Sequence, residues 1–309
     1  MPDQSSPLLA SPLPAVGSEP LAIALSTADG AKFELLCVVP QAPRRLLYWL
    51  PAMGMPARHY LPLAEALAAR GVGVVLHEWR GIGSSNRRAG RHGNWGYREL
   101  LQDDLAAGLA ALRQRWPQAS LGVGGHSLGG QLGLLFASLH PAAFDSLVLV
   151  ASGAPYWRSF RHRWLIGLCM VLASPLASLC GYLPGRRLGF AGNEARGVIA
   201  DWTRSGRSGR YGAAGLDHDL EQALGALRLP VLALRLQDDW LGPASSLQWL
   251  LGKLGPAPRT VEVITPRDLG GQSADHFGWM KSPAPLAVRM ADWFEARDAV
   301  DQNAASPAA

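Results

Sequence analysis

Leu121-Gly122-Val123-Gly124-Gly125-His126-Ser127-Leu128-Gly129-Gly130-Gln131-Leu132-Gly133-Leu134-Leu135 reads as a short apolar strand, a turn crowded with glycine around one serine, and the start of a helix. Within it, Gly125-His126-Ser127-Leu128-Gly129 fits G-x-S-x-G, in which a strained strand-to-helix turn lifts a serine hydroxyl above a sheet. The flanking glycines are expected because such a turn brings the backbone so close to its neighbours that a Cβ would collide. The helix that follows aims its N-terminus at Ser127, so its unpaired N–H groups favour negative charge developing there. With 35 glycines in 309 residues the bare pattern is weak, and its position between a strand pattern and a helix pattern gives it weight.

Working outward, the chain alternates strands and helices. Leu21–Ser26 and Lys32–Val39 read as strands joined at Asp29-Gly30, and Leu46–Leu50 as a short buried strand ending in Pro51-Ala52-Met53-Gly54-Met55-Pro56. A helix is expected from about Ala57 to Arg70, a strand over Val72–Glu78, and an amphipathic helix from about Arg98 to Arg115. After the serine turn comes a sixth strand, Ser146–Ala151, and then the alternation stops. Tyr156 to about Ala214 shows no strand-like pattern and reads as a helical insertion. Beyond it follow Leu229–Leu236, a helix near Ser245–Leu254, Thr260–Ile264 and a terminal helix near Pro285–Arg297. This is the pattern of a doubly wound, mostly parallel α/β sheet, whose active sites lie at the carboxyl ends of the strands. The expected layout is a disordered tail over 1–20, a core over 21–155 and 215–297, a helical cap over 156–214, and a frayed tail over 298–309.

Composition narrows the classes. The chain is 48% hydrophobic and 17% charged, an ordinary globular balance. Its three cysteines, Cys37, Cys169 and Cys180, are odd in number and far apart, which fits neither a disulfide framework nor a metal site and suits a reducing, cytoplasmic setting. The first twenty residues hold no lysine or arginine and no sustained apolar run, unlike a secretory signal. The net charge of +5 is concentrated: Tyr156–Ala214 carries nine arginines against Glu194 and Asp201, +7, and the rest of the chain is −2. No nucleic-acid-binding motif accompanies the basic segment, so nucleic acid is not an expected partner.

A serine hydroxyl needs a base to take its proton and an acid to orient that base, in the chain order Ser, Asp/Glu, His for this type of sheet. Gln237-Asp238-Asp239-Trp240-Leu241-Gly242-Pro243 follows one late strand, and Asp275-His276-Phe277-Gly278-Trp279 follows the next. His276 is the only histidine after His218. Asp239 begins D-x-L-x-P and is preferred as the acid; Asp238 is the alternative and could instead brace the loop. For the oxyanion, the natural N–H donors are the amide of Leu128 and, in the loop after the third strand, that of Met53.

Gly125-His126-Ser127-Leu128-Gly129-Gly130, Arg80-Gly81-Ile82-Gly83-Ser84, Asp239-x-Leu-x-Pro243 and His276-Phe277-Gly278 together resemble the α/β-hydrolase superfamily. The similarity is to its serine aminopeptidase-like or monoacylglycerol-lipase-like branch and spans about residues 21 to 297. It implies the α/β-hydrolase fold, a Ser127-Asp239-His276 triad, no metal or other cofactor, and a helical cap after the sixth strand. Two departures stand out: Pro51-Ala52 replaces the usual His-Gly of the oxyanion loop, and Asp275 replaces the glycine usually before the histidine. The name aminopeptidase does not carry over, because the sequence shows no acidic feature with a clear claim on a substrate amine.

The expected function is therefore a metal-independent serine hydrolase of carboxylic esters or related acyl bonds, favouring apolar or lipid-like small-molecule substrates. Acyl transfer on the same triad, a non-catalytic ligand binder, and a peripheral membrane protein are the alternatives. Trp164–Leu183 is an uncharged run of twenty residues, long enough to cross a bilayer. Its Ser174-Pro175 break and its place within one domain argue instead for a pair of buried cap helices. A second reading is a lipophilic lid that touches membrane, with arginines facing anionic head groups. Substrate-binding residues and oligomeric state are not legible.

Overall fold

The computed structural model describes residues 20–305, with side chains to residue 300. The expected disordered tail over 1–20 therefore lies almost entirely outside the described residues, as do the last four positions.

Eight strands form one sheet: β1 (Leu21–Ser26), β2 (Lys32–Val38), β3 (Arg45–Leu50), β4 (Val72–Leu76), β5 (Ser120–His126), β6 (Ser146–Val150), β9 (Val231–Leu236) and β10 (Arg259–Ile264). Their spatial order is β1-β2-β4-β3-β5-β6-β9-β10. The pairs from β4 through β10 are parallel, and β1 and β2 add two antiparallel strands at one edge. β3 and β5, at the centre, are buried on both faces, which is why their sequences read as continuous apolar runs.

Because successive side chains point to opposite faces, each central strand serves two cores. Leu46, Tyr48 and Leu50 face one core with Leu121, Val123, Leu147 and Leu149. Leu47 and Trp49 face the other, with Val148, Val150, Leu232 and Leu234. Helices α2 (Leu105–Arg115) and α3 (Leu128–Leu139) cover the first face, and α1 (Leu61–Ala68) and α9 (Ala284–Ala305) the second. The insertion and its exit carry α4 (Arg163–Cys180), β7 (Tyr182–Pro184), α5 (Gly185–Leu188), β8 (Asn193–Ala195), α6 (Arg196–Ser208) and α7 (Leu220–Ala226), and α8 (Ala244–Leu251) follows β9.

Several expectations are corrected. The helix expected over 57–70 enters as a 3-10 turn, Ala57–Tyr60, and its regular part ends at Ala68. The helix expected over 98–115 begins with a wide π-type turn, Glu99–Asp104, whose Asp104 is buried against Arg80 at 2.6 Å. The insertion is not purely helical: β7 and β8 form a small antiparallel pair. Three-residue strands leave too short a pattern to read from sequence. Trp164–Leu183 does not fold as two buried helices either. One continuous helix passes through Pro175, and most of its side chains are open to solvent. Pro175 itself is exposed, as is Val171, whose carbonyl loses its helical partner there and can turn to water. At the far end, the expected frayed tail is instead helical through Ala305, and Asp298 reaches back to pair with Arg45.

Candidate active site

β5 ends at His126 and α3 begins at Leu128, so Ser127 alone makes the turn. Its backbone sits at φ 55°, ψ −119°, a conformation that costs a non-glycine residue about 1–3 kcal/mol and persists only when neighbours enforce it. Three contacts do so. The Ser127 amide donates to the Val150 carbonyl at 3.0 Å, and the Ser127 carbonyl accepts from the Gln131 amide at 3.3 Å and from the Ser152 hydroxyl at 2.9 Å. The glycine spacing has the expected steric cause. A Cβ on Gly125 would stand 2.4 Å from the Leu50 carbonyl oxygen, and one on Gly129 only 2.0 Å from it.

The loop after β3 is pinned from two sides. Trp79 Nε1 donates to the Pro51 carbonyl at 2.8 Å, and the Ala52 amide donates to the Tyr60 hydroxyl at 2.9 Å. That hydroxyl also hydrogen-bonds His126 Nδ1 at 2.9 Å. The departure from His-Gly is thus accommodated by an aromatic brace. With the Ala52 amide taken, the next amide, that of Met53, has no acceptor among the described residues. The Leu128 amide lies in the first turn of α3, where N–H groups lack helical partners. Met53 and Leu128 line the same small cavity.

The late loops deliver the other two residues. Asp239 Oδ2 meets His276 Nδ1 at 2.8 Å, with both side chains buried. Asp239 Oδ1 accepts from the Leu241 and Gly242 amides, each at 2.9 Å, so the carboxylate is held from both ends. Asp238 points elsewhere. Its Oδ2 accepts from the Ala274 amide at 3.1 Å while its own amide donates to the Ala274 carbonyl at 2.9 Å, stitching the two loops together. Asp275, in place of the usual glycine, accepts from the Phe277 and Gly278 amides at 3.0 and 2.7 Å and shapes the turn that carries His276. Trp279 Nε1 donates to the His276 carbonyl at 3.1 Å from beneath.

Asp239 and His276 are thus brought into direct contact, and the His276 ring lies 4.8 Å from that of His126, the residue before the serine. No hydrogen bond joins the Ser127 hydroxyl to the imidazole among the described residues; in unliganded sites such bonds are commonly long and tighten on substrate binding. His126 is fully buried, and burial, aided by the neighbouring His276, holds it well below the usual histidine range and therefore neutral. It packs against Trp279 and Phe277 as part of the floor.

Sequence reasoning missed two residues here. Ser152, just past β6, clamps the turn, and a Cβ on Gly130 would stand 2.1 Å from its Oγ. Glu194, on β8, lines a cavity of about 10 Å3 whose walls include Met53, Gly54, Leu128, Trp95 and Val198, room for about one water. Its Oε1 is buried without a hydrogen-bond partner. Burial raises its pKa from 4.5 to about 7, against a backbone hydrogen bond from Gly192 that lowers it. The only sequence signal was its rarity as one of two acids in the basic segment.

A carboxyl whose folded pKa exceeds its unfolded value contributes stability that is fully present below 4.5 and lost as pH rises through about 7. Glu194→Gln is therefore expected to be nearly neutral at about pH 4 and stabilising by up to roughly 3 kcal/mol at about pH 8. Urea midpoints at the two pH values measure this, and an equal effect at both would remove the buried charge as the cause.

Among the described residues no group of three or more histidine, cysteine, aspartate or glutamate side chains is arranged to hold a metal ion. Comparison with known proteins agrees with the fold. The model of the serine aminopeptidase family S33 matches residues 41–184. RutD of Pantoea ananatis, whose name assigns it carbamate hydrolysis, is 27% identical over 216 residues, 67% of this chain and 72% of the relative. The α/β hydrolase GrgF of Penicillium sp. sh18 superposes with a TM-score of 0.63 at 15% identity, covering 90% of this chain and 99% of its own. A monoacylglycerol lipase of Paleococcus ferrophilus superposes with a TM-score of 0.56 at 15% identity, covering 89% and 98%. The strand order, the serine turn and these likenesses agree: the chain has the α/β-hydrolase fold.

Proposed function

We propose that this chain is a serine hydrolase that cleaves a carboxylic ester or related acyl bond, with Ser127 as nucleophile, His276 as base and Asp239 as its orienting acid. The observation that carries the reading is the 2.8 Å contact of Asp239 with His276 Nδ1, whose ring lies 4.8 Å from that of His126, the residue before a serine held in a strained turn. With Nδ1–H engaged by the carboxylate, Nε2 is the ring nitrogen left to accept the serine proton. Ser127 Oγ then bonds the acyl carbon, and the carbonyl oxygen takes the negative charge, facing the Leu128 and Met53 amides. His276 returns the proton to the leaving alkoxide as the C–O bond breaks. Water repeats the sequence in reverse, releasing the acid and restoring the serine. The same triad would serve acyl transfer if an alcohol replaced water.

Met53, Trp95, Leu128 and Val198 near the serine turn are apolar, which supports an apolar acyl group, although the cavity they line is too small to seat one unless side chains move. A second reading, a polar acyl donor such as a carbamate or an amine-bearing ester, is favoured by one observation: the unpaired Glu194 Oε1 in that wall. A fluorophosphonate probe tests the chemistry directly. Ser127 is the expected site of covalent labelling by peptide mass; an intact protein that stays unlabelled while other serine hydrolases react refutes it. A series of p-nitrophenyl esters, apolar against amino-substituted, separates the two substrate readings.

A further inference from the structure

Helix α4 is amphipathic in the wrong sense for a covered helix. Its inner side packs on α6, where Gly206 admits the Met170 side chain so closely that a Cβ would stand 2.5 Å from the sulfur. Its outer side presents Trp164, Leu165, Leu168, Val171, Leu172 and Leu179, each between 50% and 77% exposed. Residues 164, 168, 172 and 179 fall on one stripe at helical spacing. Leu188 and Phe190, just beyond α5, are exposed as well. Contiguous apolar surface of this kind marks an interaction site in a protein that is otherwise well buried.

The rim of the face identifies what covers it. Arg158, Arg161 and Arg163 stand exposed at one end of α4 and Arg186 and Arg187 beyond the other, and no aspartate or glutamate occurs between Tyr156 and Asn193. Arg158 lies over the Trp157 ring at 5.1 Å and Arg163 over Trp164 at 5.5 Å, with the two indoles 5.1 Å apart. Apolar side chains flanked by indoles and guanidinium groups match the boundary between acyl chains and anionic head groups. A second copy of this chain fits less well, because a two-fold contact through α4 would set one basic end against another. Spanning is excluded by connectivity: α4 is packed along α6 and β7, and β7 is paired to β8.

We propose that the outer face of α4 docks this protein on an anionic lipid surface, lying in the interface plane with its apolar stripe inserted and the arginines at its two ends on the head groups. This stands independently of the triad. The test is flotation of the full chain with vesicles of phosphatidylcholine alone or of equal parts phosphatidylcholine and phosphatidylglycerol. Binding is expected only to the anionic vesicles and to weaken with added salt. Leu168→Glu with Leu172→Glu, both exposed, should lower partitioning on the order of a hundredfold. Neutralising Arg186 and Arg187 to glutamine should lower it about fivefold for each arginine. Circular dichroism and thermal melts check that these surface variants remain folded. Absence of binding to either vesicle, or binding that the leucine variant leaves intact, overturns the proposal. So does equal binding to both lipids, or a concentration-dependent dimer in solution that the leucine variant abolishes.

Discussion

Ser127→Ala is expected to lower kcat on a p-nitrophenyl ester by about 10^4- to 10^6-fold while leaving KM within a few-fold of the parent. The size follows from the division of labour. Without the hydroxyl there is no acyl-enzyme, and what survives is the positioning of substrate beside the Leu128 and Met53 amides. The substitution removes one atom from a half-buried side chain and keeps the Cβ, so the strained φ of 55° and the Ser152 and Val150 hydrogen bonds remain. The melting temperature is therefore expected to shift by no more than a few degrees. Near-parental turnover by a folded Ser127→Ala protein would remove the serine from the chemistry altogether.

The neighbouring aspartates give the second large contrast. Asp239→Asn is expected to cost about 10^4-fold in kcat, as loss of the orienting acid does in comparable triads. Asp239 Oδ1 accepts from the Leu241 and Gly242 amides, and an asparagine oxygen can keep those bonds. The side-chain NH2 then faces His276 Nδ1, which must accept rather than donate. The ring proton moves to Nε2, the atom that has to receive the serine proton, and the base is blocked by the wrong tautomer. Asp238→Asn should leave kcat within about tenfold and cost about 1 kcal/mol of stability, through the loosened bond to the Ala274 amide. Kinetics of the two variants side by side, with urea unfolding, distinguish the roles. If Asp238→Asn were the more damaging to kcat, the assignment would be reversed.

These two predictions rest on residues that differ in how readable they were. The type and order of the site residues are written in the chain, since a serine between strand and helix patterns and a histidine after a late strand need only local spacing. The choice between Asp238 and Asp239 is not, because adjacent residues point opposite ways and only the fold says which direction meets the imidazole. The steric reading of the glycines was equally local: Gly125 and Gly129 pass within 2.0–2.4 Å, counted from a would-be Cβ, of the Leu50 carbonyl oxygen. Ser152 left no signal. It acts on the serine turn from 25 residues away, through one hydroxyl bond that depends on β6 lying beside β5.

Local pattern by itself determined the parallel α/β sheet, the serine turn at its centre and the basic, apolar character of the insertion, because period-two and period-3.6 repeats report which sides of an element are apolar. Tertiary structure alone decided whether those sides are covered. It left the stripe of α4 bare where burial was the natural expectation, and it carried Glu194 from an unremarkable basic segment into the wall of the cavity beside Met53 and Leu128. The physical reason is the same in both cases. Burial and hydrogen-bond satisfaction are properties of the space around a residue, and that space is filled by partners distant in the chain.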